Sequence, residues 1–221
     1  VLLCSGFPSQ FAIAAVLQGL GMGPTGDTLP PSFVFILSGV DTVVVLGLVF
    51  YFLRRSDERP ATVLLGRRPI GPELGLGALL VPGVFMLVVI AQVSIRLIDP
   101  SLHNVEVSPF APLLSSPAMV AAFVVLVLVA GGVREEIQRA FLLHRFERHL
   151  GGAAVGLIVT SIGFGLGHTL QGLDAAIITG MLGAFWGVVY LARRSVVSTV
   201  TNHALFNVAQ IALGYATLVR A

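Results

Sequence analysis

The chain of 221 residues contains no lysine, and all 13 basic residues are arginine. That absence excludes a serine–lysine dyad, a P-loop and Schiff-base chemistry, each of which needs a primary amine. Cysteine is nearly missing as well. A lone Cys4 cannot close an intrachain disulfide, and no CxxC pair or Cys/His zinc spacing occurs. Charge is scarce, at 11% of residues, where a soluble domain carries roughly 25%. With a net charge of only +2, the pI near 9.2 gives no reason to expect a nucleic-acid partner.

What is present is apolar: 56% of residues are hydrophobic and the mean hydropathy is +0.94. The bilayer, not water, is therefore the expected solvent for most of the surface. The length suits one membrane domain over 1–221, with three N-terminal spans and loops in 1–116 and the polar motifs in 117–221. The expected fold is all-α, a polytopic transmembrane helical bundle of about seven spans, each needing on the order of 20 apolar residues. They fall at 2–22, 33–53, 74–97, 117–147, 153–170, 174–192 and 196–218. Turn chemistry separates them at Gly23-Pro24, Pro30-Pro31, Asp99-Pro100 and Gly151-Gly152. The opening VLLCSGF lacks a basic region and a small-residue cleavage site, so it reads as the start of a span.

Arginines are asymmetric across the loops. Arg54, Arg55, Arg59, Arg67 and Arg68 separate spans two and three, Arg145 and Arg148 close span four, and Arg193-Arg194 separates six from seven. The alternate loops hold Asp27, Asp99, Glu106 and Asp174 instead. This alternation predicts an integral protein of the cell membrane with its first residue cytoplasmic.

Ionisable groups at membrane depth cost roughly 2.5–3.5 kcal/mol each and mark function or pairing. Span four carries Glu135, Glu136, Gln138 and Arg139 just after Gly131-Gly132, a candidate bend in an overlong helix. Span five ends in Phe164-Gly165-Leu166-Gly167-His168, and span seven carries His203-Ala204-Leu205-Phe206-Asn207. The spacing i, i+4 places Arg139 over Glu135, Phe164 beside His168 and His203 beside Asn207. A carboxylate with an imidazole can polarise water and take its proton. A second imidazole and an amide can donate to the oxygen that becomes negative in a tetrahedral intermediate.

These three motifs on successive spans resemble the CPBP family of membrane proteases, also called the Abi or CAAX prenyl-protease-like family, over roughly Val120 to Leu213. The resemblance implies a helical bundle with a cavity open to the cytoplasmic side. It implies that Glu135 and His168 activate water, that His203 and Asn207 stabilise the oxyanion, and that Glu136 and Arg139 support the first carboxylate. The expected substrate is a membrane-associated or lipidated peptide. No cofactor is favoured; two histidines and a carboxylate are a chemically admissible zinc set, although HExxH is absent. One departure stands out: two residues, Ile137 and Gln138, separate the glutamate pair from Arg139, where the family has three. Alignment on Arg139 puts Arg134 in the first glutamate's place and Glu135 in the second's. The interval of 33 residues to His168 favours Glu135 as the base.

The plainer readings are an ion cluster at a helix end for the glutamate pair, a packing histidine for His168, and interhelical polar contact for His203 and Asn207. Three motifs in order outweigh them, and an intramembrane endopeptidase is the expected function. The alternative is a catalytically inactive CPBP-like subunit docked in a larger membrane complex. A transporter fits less well, lacking paired broken helices. There is no rhomboid-type GxSG serine, and Gly172-Leu173-Asp174 only superficially resembles a presenilin-type GxGD. Among the remaining polar groups, Asp41 is unpaired by sequence, His144 and His149 are expected at the interface, and Arg96 is expected beside Asp99. Gly163xxxGly167 and Gly183xxxGly187 are expected to pack helices closely, and Trp186 and Tyr190 to serve as packing or interfacial belt residues.

Overall fold

The computed structural model describes residues 1–24, 26 and 28–220, so Asp27 lies outside the described residues. Every regular element among them is helical: α1 (Phe7–Gly19), α2 (Pro31–Arg55), α3 (Pro60–Leu64), α4 (Ile70–Leu79), α5 (Val81–Ile98), α6 (Pro117–Leu126), α7 (Glu135–His149), α8 (Ala153–Leu166), α9 (Leu173–Arg193) and α10 (Val197–Arg220), besides short 3-10 turns. A π-helical segment, Val127–Arg134, joins α6 to α7. Proline opens α2, α3 and α6, where its missing N–H costs nothing. The Ser116 hydroxyl caps α6 by accepting from the Met119 amide at 3.2 Å.

Four helical stretches are long and apolar enough to cross a membrane: Pro31–Arg55, Ile70–Ile98, Pro117–His149 and Leu173–Arg193. Each coincides with one of the expected spans. α8 is a shorter apolar helix of 14 residues. The first expected span is divided: a 3-10 turn at Leu2–Ser5 gives way at Gly6, whose φ of 82° breaks the path, to α1 of 13 residues. α10 is 24 residues long but is not among the four, because Thr199, Asn202, His203 and Asn207 lower its hydropathy. Apolar side chains face outward, with Leu97 and Ile98 80% and 83% exposed, a surface that only lipid solvates well.

The loops sort as the arginine pattern predicts. Glu58 collects His144 at 2.8 Å, Arg145 at 2.7 Å and Arg148 at 3.0 Å, fastening α7 to the turn after α2. Arg194 forks onto both oxygens of Glu147 at 2.5 and 2.7 Å, and Arg68 donates to the Arg193 carbonyl at 3.0 Å. All three arginine-rich connections therefore meet at one end. At the other, His103 meets Asp174 at 2.7 Å and Asn104 accepts from the Leu173 amide at 2.9 Å. His144 is largely covered, whereas His149 is exposed. Arg96 does not pair with Asp99 among the described residues; Asp99 accepts from the Ser101 amide and hydroxyl instead.

Close packing rests on different glycines than the spacing suggests. A Cβ on Gly165 would stand 2.6 Å from the Ala176 carbonyl and 3.3 Å from Gly180, so α8 and α9 touch backbone to backbone there. Gly183 and Gly187 do pack closely, against Phe164 and Leu157. Gly163 and Gly167 have no such close neighbour on another helix.

Candidate active site

The site is assembled where α10 lies against the π segment and the first turn of α7. A Cβ on Gly132 would meet Ala204 Cβ at 3.0 Å, and one on Gly131 would meet Asn207 Nδ2 at 2.7 Å. Two consecutive glycines thus let α10 seat the face that carries His203, Ala204 and Asn207 directly on the π-helical stretch. The expected bend at Gly131-Gly132 is in fact this π segment, a geometry common at functional positions.

Glu136 is 1% exposed and is held from two sides. Arg139, one turn on, donates to its Oε1, and His203 Nδ1 approaches the same oxygen at 2.9 Å. The expected Arg139–Glu135 contact at i, i+4 is replaced by this i, i+3 pair. Glu136 is the inward member of the pair and so takes the buried cation. The Arg139 guanidinium, itself buried, also lies over the Phe164 ring at 4.4 Å and faces Trp186 at 5.5 Å, two cation–π contacts.

Glu135 is the more open carboxylate, with 19% of its side chain exposed. Its Oε2 lies 3.8 Å from His203 Nε2, and its Oε1 lies 3.7 Å from Arg134 Nη1. Both distances exceed a hydrogen bond and suit a bridging water. A carboxylate only accepts, so His203 Nδ1 donates to Glu136, and the neutral ring offers its Nε2 lone pair toward Glu135. A second proton on that ring turns Nε2 into a donor.

His168 is placed differently from the helical expectation. α8 ends at Leu166, and His168 sits in the following turn. It still meets Phe164: its Nδ1 donates to the Phe164 carbonyl at 2.8 Å, and the two rings stand edge to face at 4.8 Å. Its Nε2 then carries the lone pair. Phe164 in turn stands perpendicular to the His203 ring at 6.1 Å, so one aromatic ring links the two imidazoles. Among the described residues His168 makes no direct polar contact with Glu135, Glu136 or His203.

Three site residues escaped the sequence reading. Trp186, 1% exposed, lies flat against His203 with ring centres 3.8 Å apart and planes 15° from parallel. It is a wall of the site, not an interfacial belt residue. Its indole N–H donates to Asn202 Oδ1 at 2.7 Å, and the Asn202 amide donates to the Gly77 carbonyl at 3.0 Å, tying α9 and α10 to α4. Asp41 is the third: it pairs with the buried Arg134. An asparagine directly before His203 is a signal that sequence offers; nothing in it points Trp186 at the imidazole. Tyr190 is a packing residue, 3% exposed and donating to the Val63 carbonyl at 3.0 Å.

Among the described residues no group of three His, Cys, Asp or Glu side chains is placed to hold a metal. Two apolar grooves of about 430 and 620 Å³ flank α9, sharing Ile177 and Met181, and neither is lined by Glu135, Glu136, Arg139, His168, His203 or Asn207. Cavity size and chemistry disagree here, and the ionisable groups carry more weight because burying them is costly.

No curated protein and no solved structure gives a significant match to the chain. Residues 116–209, under half of the chain, match the family described as type II CAAX prenyl endopeptidase Rce1-like. That segment contains Glu135, Glu136, Arg139, His168, His203 and Asn207, and over it the chain is similar to the Rce1-like family, consistent with a protein of the CPBP family.

Proposed function

We propose that the protein is an intramembrane endopeptidase that hydrolyses a peptide bond in a membrane-associated or lipidated substrate, prenylated peptides included, with a water activated by Glu135. The observation that carries this is the convergence of two carboxylates from α7 on one imidazole from α10, with Glu136 held by Arg139 and His203 and Glu135 left open. The water attacks the scissile carbonyl carbon and gives its proton to Glu135, with the free Nε2 of His168 as the second acceptor on the substrate side. The carbonyl oxygen becomes negative and accepts from the Asn207 amide and from His203 Nε2, whose second proton is taken up from solvent before the attack and stays on the ring throughout. Collapse breaks the C–N bond, and the proton held by Glu135 passes to the leaving amine. Glu136 holds the His203 tautomer, and Arg139 neutralises Glu136. No metal takes part in this reading. The arginine-rich end faces the cytoplasm, with the N-terminus on that side.

The test is hydrolysis of lipidated and membrane-segment peptides by protein in liposomes. Glu135→Ala is expected to abolish cleavage while Glu58→Ala does not. Cleavage that survives Glu135→Ala combined with Glu136→Ala removes the proposal. The inactive-subunit reading has one observation in its favour, Arg134 in the first glutamate's place when the motif is aligned on Arg139. It predicts no turnover by the wild-type chain and recovery of the protein in stoichiometric complex with other membrane proteins.

A further inference from the structure

Asp41, on α2, is 2% exposed and lies about 90 residues from the motifs (|i−j| = 93 to Arg134). Its carboxylate accepts from the Ser9 hydroxyl, from Gln10 Nε2 at 3.1 Å and from Arg134 Nη2. Ser9 and Gln10 belong to α1, so Asp41 is pinned by a helix that does not touch the reaction. Arg134 is itself 5% exposed and directly precedes Glu135. Its guanidinium is a fork: Nη2 is taken by Asp41, and Nη1 stops 3.7 Å short of Glu135 Oε1.

The guanidinium is confined on one side. Gly6, at φ 82°, passes so close that a Cβ there would stand 2.8 Å from Arg134 Nη2. The buried Nε of Arg134 has no hydrogen-bond partner. Nη1 also makes no hydrogen bond among the described residues, and the carboxylate it faces at 3.7 Å, on which a buried cation gains by closing, is Glu135.

We infer that Asp41 is a positioning residue for Glu135: by holding one arm of Arg134, it keeps the guanidinium from closing a direct hydrogen bond on the neighbouring carboxylate. The inference rests on Glu135 being the base. A carboxylate gripped by a buried arginine is a poor acceptor for a water proton. One held at water-bridging distance between Arg134 and His203 keeps its lone pairs available.

The experiment uses the full chain in liposomes. Asp41→Asn keeps the side chain's shape and removes its charge. For this variant kcat on a lipidated peptide is expected to fall roughly tenfold to a hundredfold, with KM unchanged. Asp41→Glu, which keeps the charge, is expected to retain most activity, and Arg134→Gln added to Asp41→Asn to recover part of the loss. A merely structural role moves the double variant further down. Infrared difference spectra, each protein against its Glu135→Gln counterpart, isolate the Glu135 carboxylate band without needing turnover. That band is expected to shift in Asp41→Asn and to return in the double variant. An unshifted band in folded Asp41→Asn overturns the inference. A shifted band in Asp41→Asn, where the wild-type protein itself cleaves nothing, removes the base role of Glu135 and leaves the positioning contact standing. If Asp41→Asn does not fold, Asp41→Ser decides in its place: its band is expected to shift, and an unshifted band overturns the inference.

Discussion

The Glu136–Arg139 pair offers a stability test that does not depend on turnover. Both side chains are nearly sealed, with 1% and 4% exposed. Glu136→Gln leaves the volume and an acceptor for His203 Nδ1, but strands the Arg139 charge in a bilayer-buried setting. Breaking one side of such a pair costs about 3–5 kcal/mol. Arg139→Met, the mirror change, strands Glu136 and is expected to cost a similar amount, with some of the cation–π contact to Phe164 lost as well. The double variant Glu136→Gln/Arg139→Met leaves no uncompensated charge, so its loss is expected to be well below the sum, with a coupling energy above ~2 kcal/mol. Reversible unfolding in mixed detergent micelles measures all three. Additive losses, or single losses under ~1 kcal/mol, would show that water reaches the pair and that it lies at a wet helix end.

Gly131→Ala brings a Cβ to 2.7 Å from Asn207 Nδ2, so activity is expected to fall by about 10²-fold, the scale of one oxyanion donor, with little change in unfolding. Gly132→Val meets the Ala204 Cβ and is expected to destabilise the fold by roughly 1–3 kcal/mol through overpacking, read by thermal unfolding. Trp186 is the sole tryptophan, so intrinsic emission should be blue-shifted and resistant to acrylamide; His203→Ala, which uncovers one face of the indole, should raise the quenching constant. At the arginine-rich end, burial pushes the Glu58 carboxyl up, but the His144 hydrogen bond and the charges of His144, Arg145 and Arg148 outweigh it and hold it below its ordinary value. A depressed folded-state value means the contribution to stability is full above the unfolded carboxylate range and is lost as pH falls through the folded value. Glu58→Gln should therefore flatten the acid side of a plot of unfolding midpoint against pH.

Much of this was readable from the chain because membrane burial makes polar residues conspicuous. Four long apolar runs became four long helices, and the alternation of arginine correctly gathered residues 54–68, 145–148 and 193–194 at one end. Which glutamate Arg139 chooses was not readable. Spacing offers i, i+3 and i, i+4 equally, and the choice follows from which carboxylate the π segment turns inward. The His168 turn was hidden for a related reason: periodicity alone carries a helix through Gly165 and Gly167, whereas α8 ends at Leu166. Asp41 and Trp186 were illegible as site residues because their partners lie 93 and 17 positions away, respectively on Arg134 and His203.

The π segment sets the rotational phase of everything after it. An α-helix advances by about 100° per residue, and a π turn absorbs one extra residue without lengthening the rod by a full step. Were Val127–Arg134 wound as a regular α-helix with no residue removed, Glu135, Glu136 and Arg139 would swing about a quarter-turn around the rod's axis, away from the imidazole on α10, with no side chain of the trio altered. Such a chain would keep every motif letter and lose the meeting of its parts, so the winding of the run before the acidic pair is as informative as the pair itself.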